Sequence, residues 1–215
     1  MKRAVIFDLD GTLVDTLEDL ASAMNRTLRG RGFPVHPAGA YKLMVGDGFR
    51  SFTYRALPEL SRDAATVDSV RAEAAAYYAE HCVDLSRPYA GVPELLAALA
   101  AKKLPLAVLS NKPDDLVQRV VVRLFPAGTF AVIRGETEGF PRKPDPASAL
   151  DIASRLGARP DETVYLGDSN VDMATARAAG MVALGAAWGF RGEDELRAAG
   201  ADAVLGTPLD LLSHL

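Results

Sequence analysis

The sequence predicts an α/β fold in which a parallel sheet carries an inserted all-helical domain. One strand-like run, residues 4–7, comes first, and from about residue 15 to residue 85 the apolar spacing is helical only. After residue 90, strand-like and helix-like stretches alternate, which is typical of a parallel sheet flanked by helices. We therefore predict an α/β core domain formed by residues 1–14 and 86–215, and a helical domain formed by residues 15–85.

The elements of the core follow from their residue types. Strand candidates are short runs rich in apolar residues: 104–109, 130–133, 163–166, 182–184 and 203–205. Helix candidates lie between and beyond them: 92–101, 113–124, 146–156, 171–179 and 193–199. Asp114, Asp115 and Pro146 are helix-start signals, and Gly157 and Gly180 are stop signals.

The inserted segment has a helical pattern throughout. Its first helix is predicted from apolar residues at helical spacing: Leu13, Leu17, Leu20, Met24 and Leu28. Further helices are predicted over 38–44, 49–57 and 62–82. Pro88, Tyr89 and Gly91 are expected to form the hinge by which the chain returns to the core.

Composition and charge exclude several classes of protein. The 215 residues are 49% hydrophobic and 24% charged, as in ordinary globular proteins, and the net charge of -4 offers no basic field for nucleic acid. Cys82 is the single cysteine, so no internal disulfide is possible. The apolar run after the basic start ends at Asp8, too short for a signal peptide, and no segment is long enough to span a membrane. We expect a cytoplasmic protein without a membrane partner, either a monomer or a homodimer.

The most informative feature is a pair of acids where the first strand ends, in Ala4-Val5-Ile6-Phe7-Asp8-Leu9-Asp10-Gly11-Thr12. Because side chains alternate along a strand, Asp8 and Asp10 would lie on one side of it. Two converging carboxylates repel each other unless a cation lies between them. A simple Asp-Gly turn would explain Asp10 but not Asp8. The pair therefore favours a metal or nucleophile site.

Polar residues also follow the later strands. Ser110 and Asn111 follow one strand, Asp168 follows another, and Lys143 lies in a loop between them. Taken singly, these would be helix caps, turns or a solvated lysine. Ligands of open parallel sheets bind beyond the carboxyl ends of the strands, so the whole set forms one predicted constellation. A hard cation together with a phosphate would balance its charges.

This pattern resembles the haloacid dehalogenase superfamily along essentially the whole chain. The first motif of that family is similar to residues 8–16, Asp-Leu-Asp-Gly-Thr-Leu-Val-Asp-Thr, and the fourth is similar to residues 167–172, Gly-Asp-Ser-Asn-Val-Asp. Ser110 and Lys143 correspond to the second and third motifs. The resemblance implies a Rossmann-like three-layer core with the first strand central, and it identifies the inserted segment as a helical cap domain.

The resemblance also implies a phosphatase mechanism. Asp8 would attack phosphorus and form an aspartyl phosphate, and Asp10 would exchange protons with the leaving group and with water. Mg²⁺ would be held by Asp8, by the backbone carbonyl of Asp10 and by Asp168. Lys143 would offset negative charge on Asp8 and the phosphate.

Supporting roles are implied for neighbouring residues. Ser110 and the amides near Asn111 would hold the phosphate oxygens, and Thr12 is a further substrate-binding candidate. Asp172, with Ser169 beside it, would act behind the metal and Lys143 as a group that orients them.

The cap loop Val45-Gly46-Asp47-Gly48-Phe49-Arg50 carries the substrate prediction. Gly46 and Gly48 open a helix and can present N–H groups to an anion, and Arg50 can meet a carboxylate. The loop resembles that of phosphoglycolate phosphatases, so a small phosphorylated metabolite is expected, with 2-phosphoglycolate the best single guess. Ser110 and the segment 104–106 depart mildly from that group.

Other activities stay open at this point. A phosphosugar mutase or a pyrophosphatase of the same superfamily would use the same acids, and a non-catalytic phosphate-binding protein is the remaining alternative. Carbon–halogen cleavage is disfavoured because halides leave without a proton and dehalogenases lack an acid at the position of Asp10. Phosphonate-cleaving relatives use a cap lysine, and the cap has only Lys42. Trp188 and Arg191 either touch the site or pack beside it.

Overall fold

A six-stranded sheet forms the centre of the computed structural model, which describes residues 2–215. The strands are β1 (Ala4–Phe7), β2 (Val14–Asp15), β3 (Arg87–Pro88), β4 (Leu106–Pro113), β5 (Val132–Glu136), β6 (Thr163–Gly167), β7 (Val182–Ala186) and β8 (Ala203–Leu205). The α-helices are α1 (Leu17–Gly30), α2 (Phe49–Ala56), α3 (Ala64–His81), α4 (Val92–Ala101), α5 (Asp114–Leu124), α6 (Ala147–Arg155), α7 (Asn170–Ala178) and α8 (Glu193–Ala198). Short 3-10 helices cover Ala38–Leu43, Glu59–Ser61, Pro160–Glu162 and Pro208–His214.

The main sheet is parallel and has β1 near its middle. Its strand order is β5-β4-β1-β6-β7-β8, so β1 pairs with β4 on one side and with β6 on the other. Val5 and Phe7 pack in the apolar cluster that contains α4 and α5, whereas Ile6 packs in the cluster that contains α6 and α7. Both faces of β1 are therefore covered, which is why its sequence is apolar without alternation. The predicted α/β class, the three layers and the central first strand are confirmed.

β4 and β5 differ most from the sequence prediction, while β6 and β7 are longer than predicted by one and two residues. β4 continues past Leu109 to Pro113 as buried extended backbone, where a helix cap or turn was the alternative. β5 starts at Val132 instead of Phe130, and the Phe130 ring, just before the strand, packs edge-on against Phe7 and Phe125. The extension of β4 carries the polar residues after Leu109 along the sheet edge.

The inserted domain is helical, as predicted. α1 packs against α3, and α2 packs against α3 as well. The stretch predicted as a helix over 38–44 is a 3-10 helix of six residues, Ala38–Leu43. Gly39 within it is a poor helix former, and 3-10 helices occur mostly as short pieces of this kind. Within residues 2–215, no helix combines the length and apolar character needed to cross a bilayer.

The two chain crossings between the core and the inserted domain are joined by a small antiparallel ladder. Val14 pairs with Pro88 and Asp15 pairs with Arg87, which makes the two-stranded sheet of β2 and β3. Strands of two residues carry no periodicity, so the sequence does not predict them. The ladder lies beside the predicted boundaries at residues 14–15 and 85–86, which stay predictions.

Asp19, in the first turn of α1, holds residues 85 and 86, where the chain leaves the cap, by hydrogen bonds. Its buried carboxylate accepts hydrogen bonds from the N–H groups of Leu85 at 3.0 Å and Ser86 at 2.8 Å, and from Ser86 Oγ at 2.6 Å. Buried donors without partners cost more free energy than a normal hydrogen bond contributes. This carboxylate therefore stabilises the exit segment that leads to β3.

Replacing Asp19 by Ala should lower the free energy of unfolding by about 2–3 kcal/mol, because the donors of residues 85 and 86 would lose their buried acceptor. Glu18→Ala, at the exposed neighbouring position, should change it by less than about 0.5 kcal/mol. Urea unfolding followed by circular dichroism measures both values. Equal losses in the two variants would contradict this account of Asp19.

Candidate active site

The predicted site residues converge at the carboxyl ends of three adjacent central strands. Asp8 follows β1, Ser110 lies in the extended end of β4, and Asp168 follows β6. A cavity at this edge is lined by all three, by Asp10 and by residues of the cap. The convergence follows from parallel pairing, which places the carboxyl ends of neighbouring strands together.

Lys143 is the central cation of the site. Its Nζ donates to Asp8 Oδ1 at 2.8 Å, to Asp172 Oδ1 at 2.7 Å and to the Leu109 carbonyl at 3.1 Å. The Lys143 side chain is only 3% exposed. All three donor positions of the ammonium are therefore used, and its place between the two acids is fixed.

Asp172 is held from its other side by the start of α7. Ser169 donates to Asp172 Oδ2 from its hydroxyl at 2.6 Å and from its N–H at 3.1 Å, which forms a capping box. Both carboxylate oxygens of Asp172 are engaged, one by Ser169 and one by Lys143. This geometry fits the orienting role that the family resemblance implies for Asp172, and that role stays a prediction.

Burial governs the charge states of these groups. Desolvation, with a smaller contribution from the charge of Asp172, raises the pKa of Asp8 to about 7 against the opposing effect of Lys143. Desolvation also raises the pKa of Asp168 well above its usual range, with Asp172 and Asp8 adding to the effect. Burial lowers the pKa of Lys143, but Asp172 and Asp8 outweigh this and hold it above its usual range. The lysine is thus an ammonium among more carboxylates than it can neutralise.

The acids form a candidate cation site. Asp8, Asp168 and Asp172 each offer a carboxylate oxygen, and these atoms lie within 4.8 Å of one another. Asp172 is already occupied by Ser169 and Lys143, so Asp8 and Asp168 are the carboxylates with capacity for an ion. Oxygen donors with excess negative charge are what a hard divalent cation requires. The backbone carbonyl of Asp10 as a third donor stays a prediction.

The backbone of residues 11 and 190 lies close to the Asp168 carboxylate and fixes its position. Its Oδ2 accepts from the Phe190 N–H at 2.7 Å. Gly11 has φ of +87°, and a Cβ atom there would lie 2.2 Å from Asp168 Oδ2. Glycine is therefore required at residue 11 both for the turn after β1 and for room beside the carboxylate.

Asp10 has a different environment from Asp8. Its Oδ1 accepts from Thr16 Oγ1 at 2.8 Å and from Lys112 Nζ at 2.5 Å. Lys112 is a site residue that the sequence analysis missed. A lysine in Asn-Lys-Pro is usually solvated, and its buried partner Tyr78 is distant in sequence, at 2.9 Å in the fold.

Asn111 joins the core to the cap. Its Nδ2 donates to the Lys143 carbonyl at 3.0 Å and to the Gly46 carbonyl at 3.2 Å, and its Oδ1 accepts from the Lys143 N–H at 2.9 Å. The side chain of Asn111 is thus engaged in holding two loops, and both Asn111 and Ser110 line the cavity.

The cap loop reaches the cavity, but Arg50 does not. Gly46 and Gly48 line the cavity, and their role in binding substrate stays a prediction. Arg50 lies on the surface, where its Nε pairs with Asp68 at 3.0 Å. Arg191 lines the cavity instead, and its Nη2 donates to the Val45 carbonyl at 2.9 Å.

Thr12 is also away from the cavity lining. It is fully buried, and its carbonyl accepts from Trp188 Nε1 at 3.0 Å. Its Oγ1 has no hydrogen-bond partner among residues 2–215. In this arrangement Thr12 anchors the loop of Trp188, a contact that fits packing beside the site. Ser169, by contrast, does line the cavity.

Comparison with known proteins gives a consistent family. The model of the haloacid dehalogenase-like hydrolases matches residues 5–186. The chain is 34% identical over 214 residues to the N-acetylmuramic acid 6-phosphate phosphatase of Pseudomonas aeruginosa, covering 99% of this chain and 94% of that protein. It is 34% identical over 212 residues to the phosphoglycolate phosphatase of Yersinia pseudotuberculosis, covering 98% of this chain and 91% of that protein.

A solved structure extends the similarity to the whole fold. The crystal structure of a Lactobacillus delbrueckii subsp. bulgaricus protein, provisionally named a phosphoglycolate phosphatase, superimposes with a TM-score of 0.93 at 33% identity. The match covers 100% of this chain and 98% of that one, so it includes both the core and the inserted domain.

Replacing Lys143 by Met should lower the free energy of unfolding by about 3–5 kcal/mol at pH 8, because Asp8 and Asp172 would be buried without their cation. The loss should be smaller at pH 5. The pKa of Asp8 is raised from 3.8 to about 7 and would rise further without Lys143. Between pH 3.8 and about 7 the raised pKa of Asp8 costs the same stability in wild type and variant, because the folded carboxyl is protonated in both. The extra cost in the variant arises above about pH 7, where Asp8 ionises in the wild type beside Lys143 but stays protonated in the variant.

Urea unfolding at pH 5 and pH 8 measures this difference. Lys102→Met, at an exposed position after α4, is the matched control and should be close to neutral at both pH values. A loss for Lys143→Met that is the same at both pH values would contradict the charge assignment.

Proposed function

The chain belongs to the haloacid dehalogenase-like hydrolase family and is a phosphomonoester hydrolase, and we propose that it acts by transferring the phosphoryl group of a small substrate to Asp8. The observation that carries this proposal is the Asp8–Lys143 pair at the carboxyl end of β1, beside a second acid, Asp10, in a separate hydrogen-bonding environment. Two neighbouring acids with different partners are suited to different roles.

The reaction proceeds in two balanced steps. An Asp8 oxygen attacks phosphorus, the bond from phosphorus to the ester oxygen breaks, and Asp10 gives that oxygen a proton as the alcohol leaves. Water then attacks the phosphorus of the aspartyl phosphate and passes a proton to Asp10. Inorganic phosphate leaves, and the carboxylate of Asp8 and the protonated Asp10 are restored.

The other side chains fix and neutralise the reacting groups. Lys143 holds Asp8 by one oxygen, which supports ionisation of the nucleophile and stabilises charge on the transferred group. Ser110, at the same cavity wall, is placed to hydrogen-bond a phosphate oxygen. Asp172 keeps Lys143 in position through its bond of 2.7 Å.

We propose Mg²⁺ as the cofactor, with Asp8 and Asp168 as carboxylate ligands and the Asp10 carbonyl as a further donor. The excess of buried carboxylates over the ammonium of Lys143 supports a cation at this place. When bound, the ion would neutralise charge on the phosphoryl group.

Our best candidate for the substrate is 2-phosphoglycolate, a phosphate ester that also carries a carboxylate. Similarity to phosphoglycolate phosphatases supports it, and Arg191 gives the cavity a cationic side chain that could meet the carboxylate. Leu20, Phe49 and Phe52 give the cavity an apolar cap wall, which suits a small closed site.

N-acetylmuramic acid 6-phosphate is a second candidate substrate. Its support is the similarity to the Pseudomonas aeruginosa enzyme named for it, and it too carries both a carboxylate and a phosphate ester. A release assay for inorganic phosphate with both compounds, pyrophosphate, nucleotides and sugar phosphates ranks these candidates and also separates hydrolysis from mutase activity.

Replacing Asp8 by Asn should lower phosphate release by at least about 1,000-fold, because the amide cannot act as the nucleophile. Asp115→Asn, at an exposed position of α5, should retain wild-type turnover. Wild-type activity should be lost in EDTA and return with added Mg²⁺. Thermal melting of both variants checks that they are folded. Full activity of Asp8→Asn would exclude the proposed mechanism.

Replacing Arg191 by Gln should lower kcat/KM for 2-phosphoglycolate about tenfold more than for p-nitrophenyl phosphate, which lacks a carboxylate; one tenfold step corresponds to about 1.4 kcal/mol. Comparing the ratio of kcat/KM for the two substrates cancels any general effect of losing the hydrogen bond from Arg191 to the Val45 carbonyl. Arg50→Gln should leave that ratio unchanged, because Arg50 pairs with Asp68 on the surface. A changed ratio only in Arg50→Gln would restore the sequence-based assignment.

A further inference from the structure

Lys112 is a buried lysine that reaches from the core to the cap. Its side chain is 3% exposed, although the sequence around it is typical of a surface turn. Its Nζ donates to Asp10 Oδ1 at 2.5 Å and to the Tyr78 hydroxyl oxygen at 2.9 Å. A buried ammonium requires such partners, so both contacts hold the side chain in one place.

Tyr78 is the cap's contribution to this contact. It lies near the end of α3, is fully buried, and has its ring 6.1 Å from that of Phe49, a residue of the cavity wall. Tyr78 and Asp10 belong to different domains of the predicted division, and Lys112 bonds to both. Displacement of α3 from the core would therefore remove one of the partners that fix Lys112.

The backbone around Lys112 is also fixed. The extended end of β4 runs so close to β5 that a Cβ atom on Gly135 would lie 2.5 Å from the Lys112 carbonyl oxygen. The Gly135 N–H donates to Asp114 Oδ1 at 2.7 Å, just beyond Lys112 in the chain. The sheet holds the main chain of Lys112 in place. The orientation of its side chain therefore depends on the partners of its ammonium group, Asp10 and Tyr78.

Both hydrogen bonds to the Asp10 carboxyl, from Thr16 and from Lys112, end on Oδ1. Among residues 2–215, Oδ2 of Asp10 has no such donor. The carboxyl is therefore held by one oxygen, while the other is left for proton exchange with the leaving group and with water.

We propose that Tyr78 and Lys112 are a positioning pair, through which the cap holds the Asp10 carboxyl in the orientation needed for proton transfer. The inference rests on the proposed function, because it assigns a task to the proton-transfer role of Asp10. The pair touches neither phosphorus nor the leaving oxygen in this role. It sets the alignment of a group that does, and small misalignments of such groups lower turnover strongly.

Tyr78→Phe tests the pair because it removes only the hydroxyl group that bonds Lys112. With saturating 2-phosphoglycolate, whose alkoxide needs a proton to leave, kcat should fall about tenfold while KM changes by less than about twofold, because transition-state alignment and not substrate binding is lost. Tyr77→Phe, the neighbouring residue on α3, stacks on His81 and should have wild-type kinetics. A raised KM with unchanged kcat would overturn the proposal and make Lys112 a substrate contact.

A double-mutant comparison shows whether Tyr78 acts through Asp10. In an Asp10→Asn background the residual rate should change by less than about twofold on adding Tyr78→Phe, because the aligned group is already absent. A full tenfold loss in both backgrounds would overturn the proposal in favour of a general structural role. If Tyr78→Phe does not fold, Lys112→Gln replaces it in the same comparison, with the same expected and contradicting outcomes.

A spectroscopic measurement is independent of turnover. In protein labelled with ¹⁵N-lysine, the ammonium resonance of Lys112, assigned from its absence in Lys112→Gln, should shift in Tyr78→Phe and stay in place in Tyr77→Phe. An unshifted resonance in Tyr78→Phe would overturn the contact. If the proposed function is wrong, the Asp8→Asn variant will be active. If only the role of the Tyr78–Lys112 pair is wrong, Asp8→Asn will be inactive and Tyr78→Phe fully active.

Discussion

Burying Asp8, Asp168 and Asp172 at one edge of the sheet concentrates negative charge where water cannot screen it, and much of the site is arranged around that charge. Lys143 neutralises part of it by spanning Asp8 and Asp172. Burial, together with the charge that Lys143 does not neutralise, raises the pKa of Asp8 and Asp168, which means that the folded protein favours any cation able to bind there. The negative charge that Lys143 leaves unneutralised favours binding of a metal cation and disfavours binding of a phosphate that comes without one. Charge balance thus links the cofactor to the substrate, since the anion becomes acceptable once the cation is present.

The backbone makes this concentration of acids possible. Gly11 turns the chain directly after Asp10 and leaves no side chain between β1 and Asp168. Gly167 does the same on β6, where a Cβ atom would lie 2.3 Å from the carboxyl carbon of Asp172. With a methyl group at either position, a carboxylate would have to move and Lys143 could not hold its partners at their present distances. The glycines of the two motifs are therefore part of the electrostatic arrangement as much as of the turns.

The sequence predicts this site well wherever strand geometry alone brings residues together. Asp8, Ser110, Lys143 and Asp168 meet because parallel strands end at a common edge, and that follows from alternating strand and helix patterns. Contacts between the inserted helices and the core are different, because helical periodicity gives a buried face but no partner. Lys112 was overlooked since its bond to Tyr78 joins segments that no local pattern relates. The position of Arg50 was predicted wrongly for the same reason, because its ion pair with Asp68 on the cap surface is a contact that no local pattern indicates. The arginine that lines the cavity is Arg191, which belongs to the core. The ladder of β2 and β3 is simply too short to leave a pattern.

The cap contributes polar contacts to the site as well as apolar walls. Phe49 and Phe52 supply apolar walls that exclude water, which strengthens every charge interaction in the cavity and also makes an unpaired charge more costly. A cap made only of apolar groups would therefore leave Lys112 with Asp10 alone. Tyr78 supplies a hydroxyl at that point, and Asn111 and Arg191 bond to cap carbonyls nearby, so that the closed arrangement is selected by polar geometry as well as by burial. Because apolar contacts tolerate sliding and hydrogen bonds do not, these few polar contacts define where the cap rests on the core. The position of Asp10, which the chemistry requires to be exact, is thus determined by contacts from both sides of the cleft.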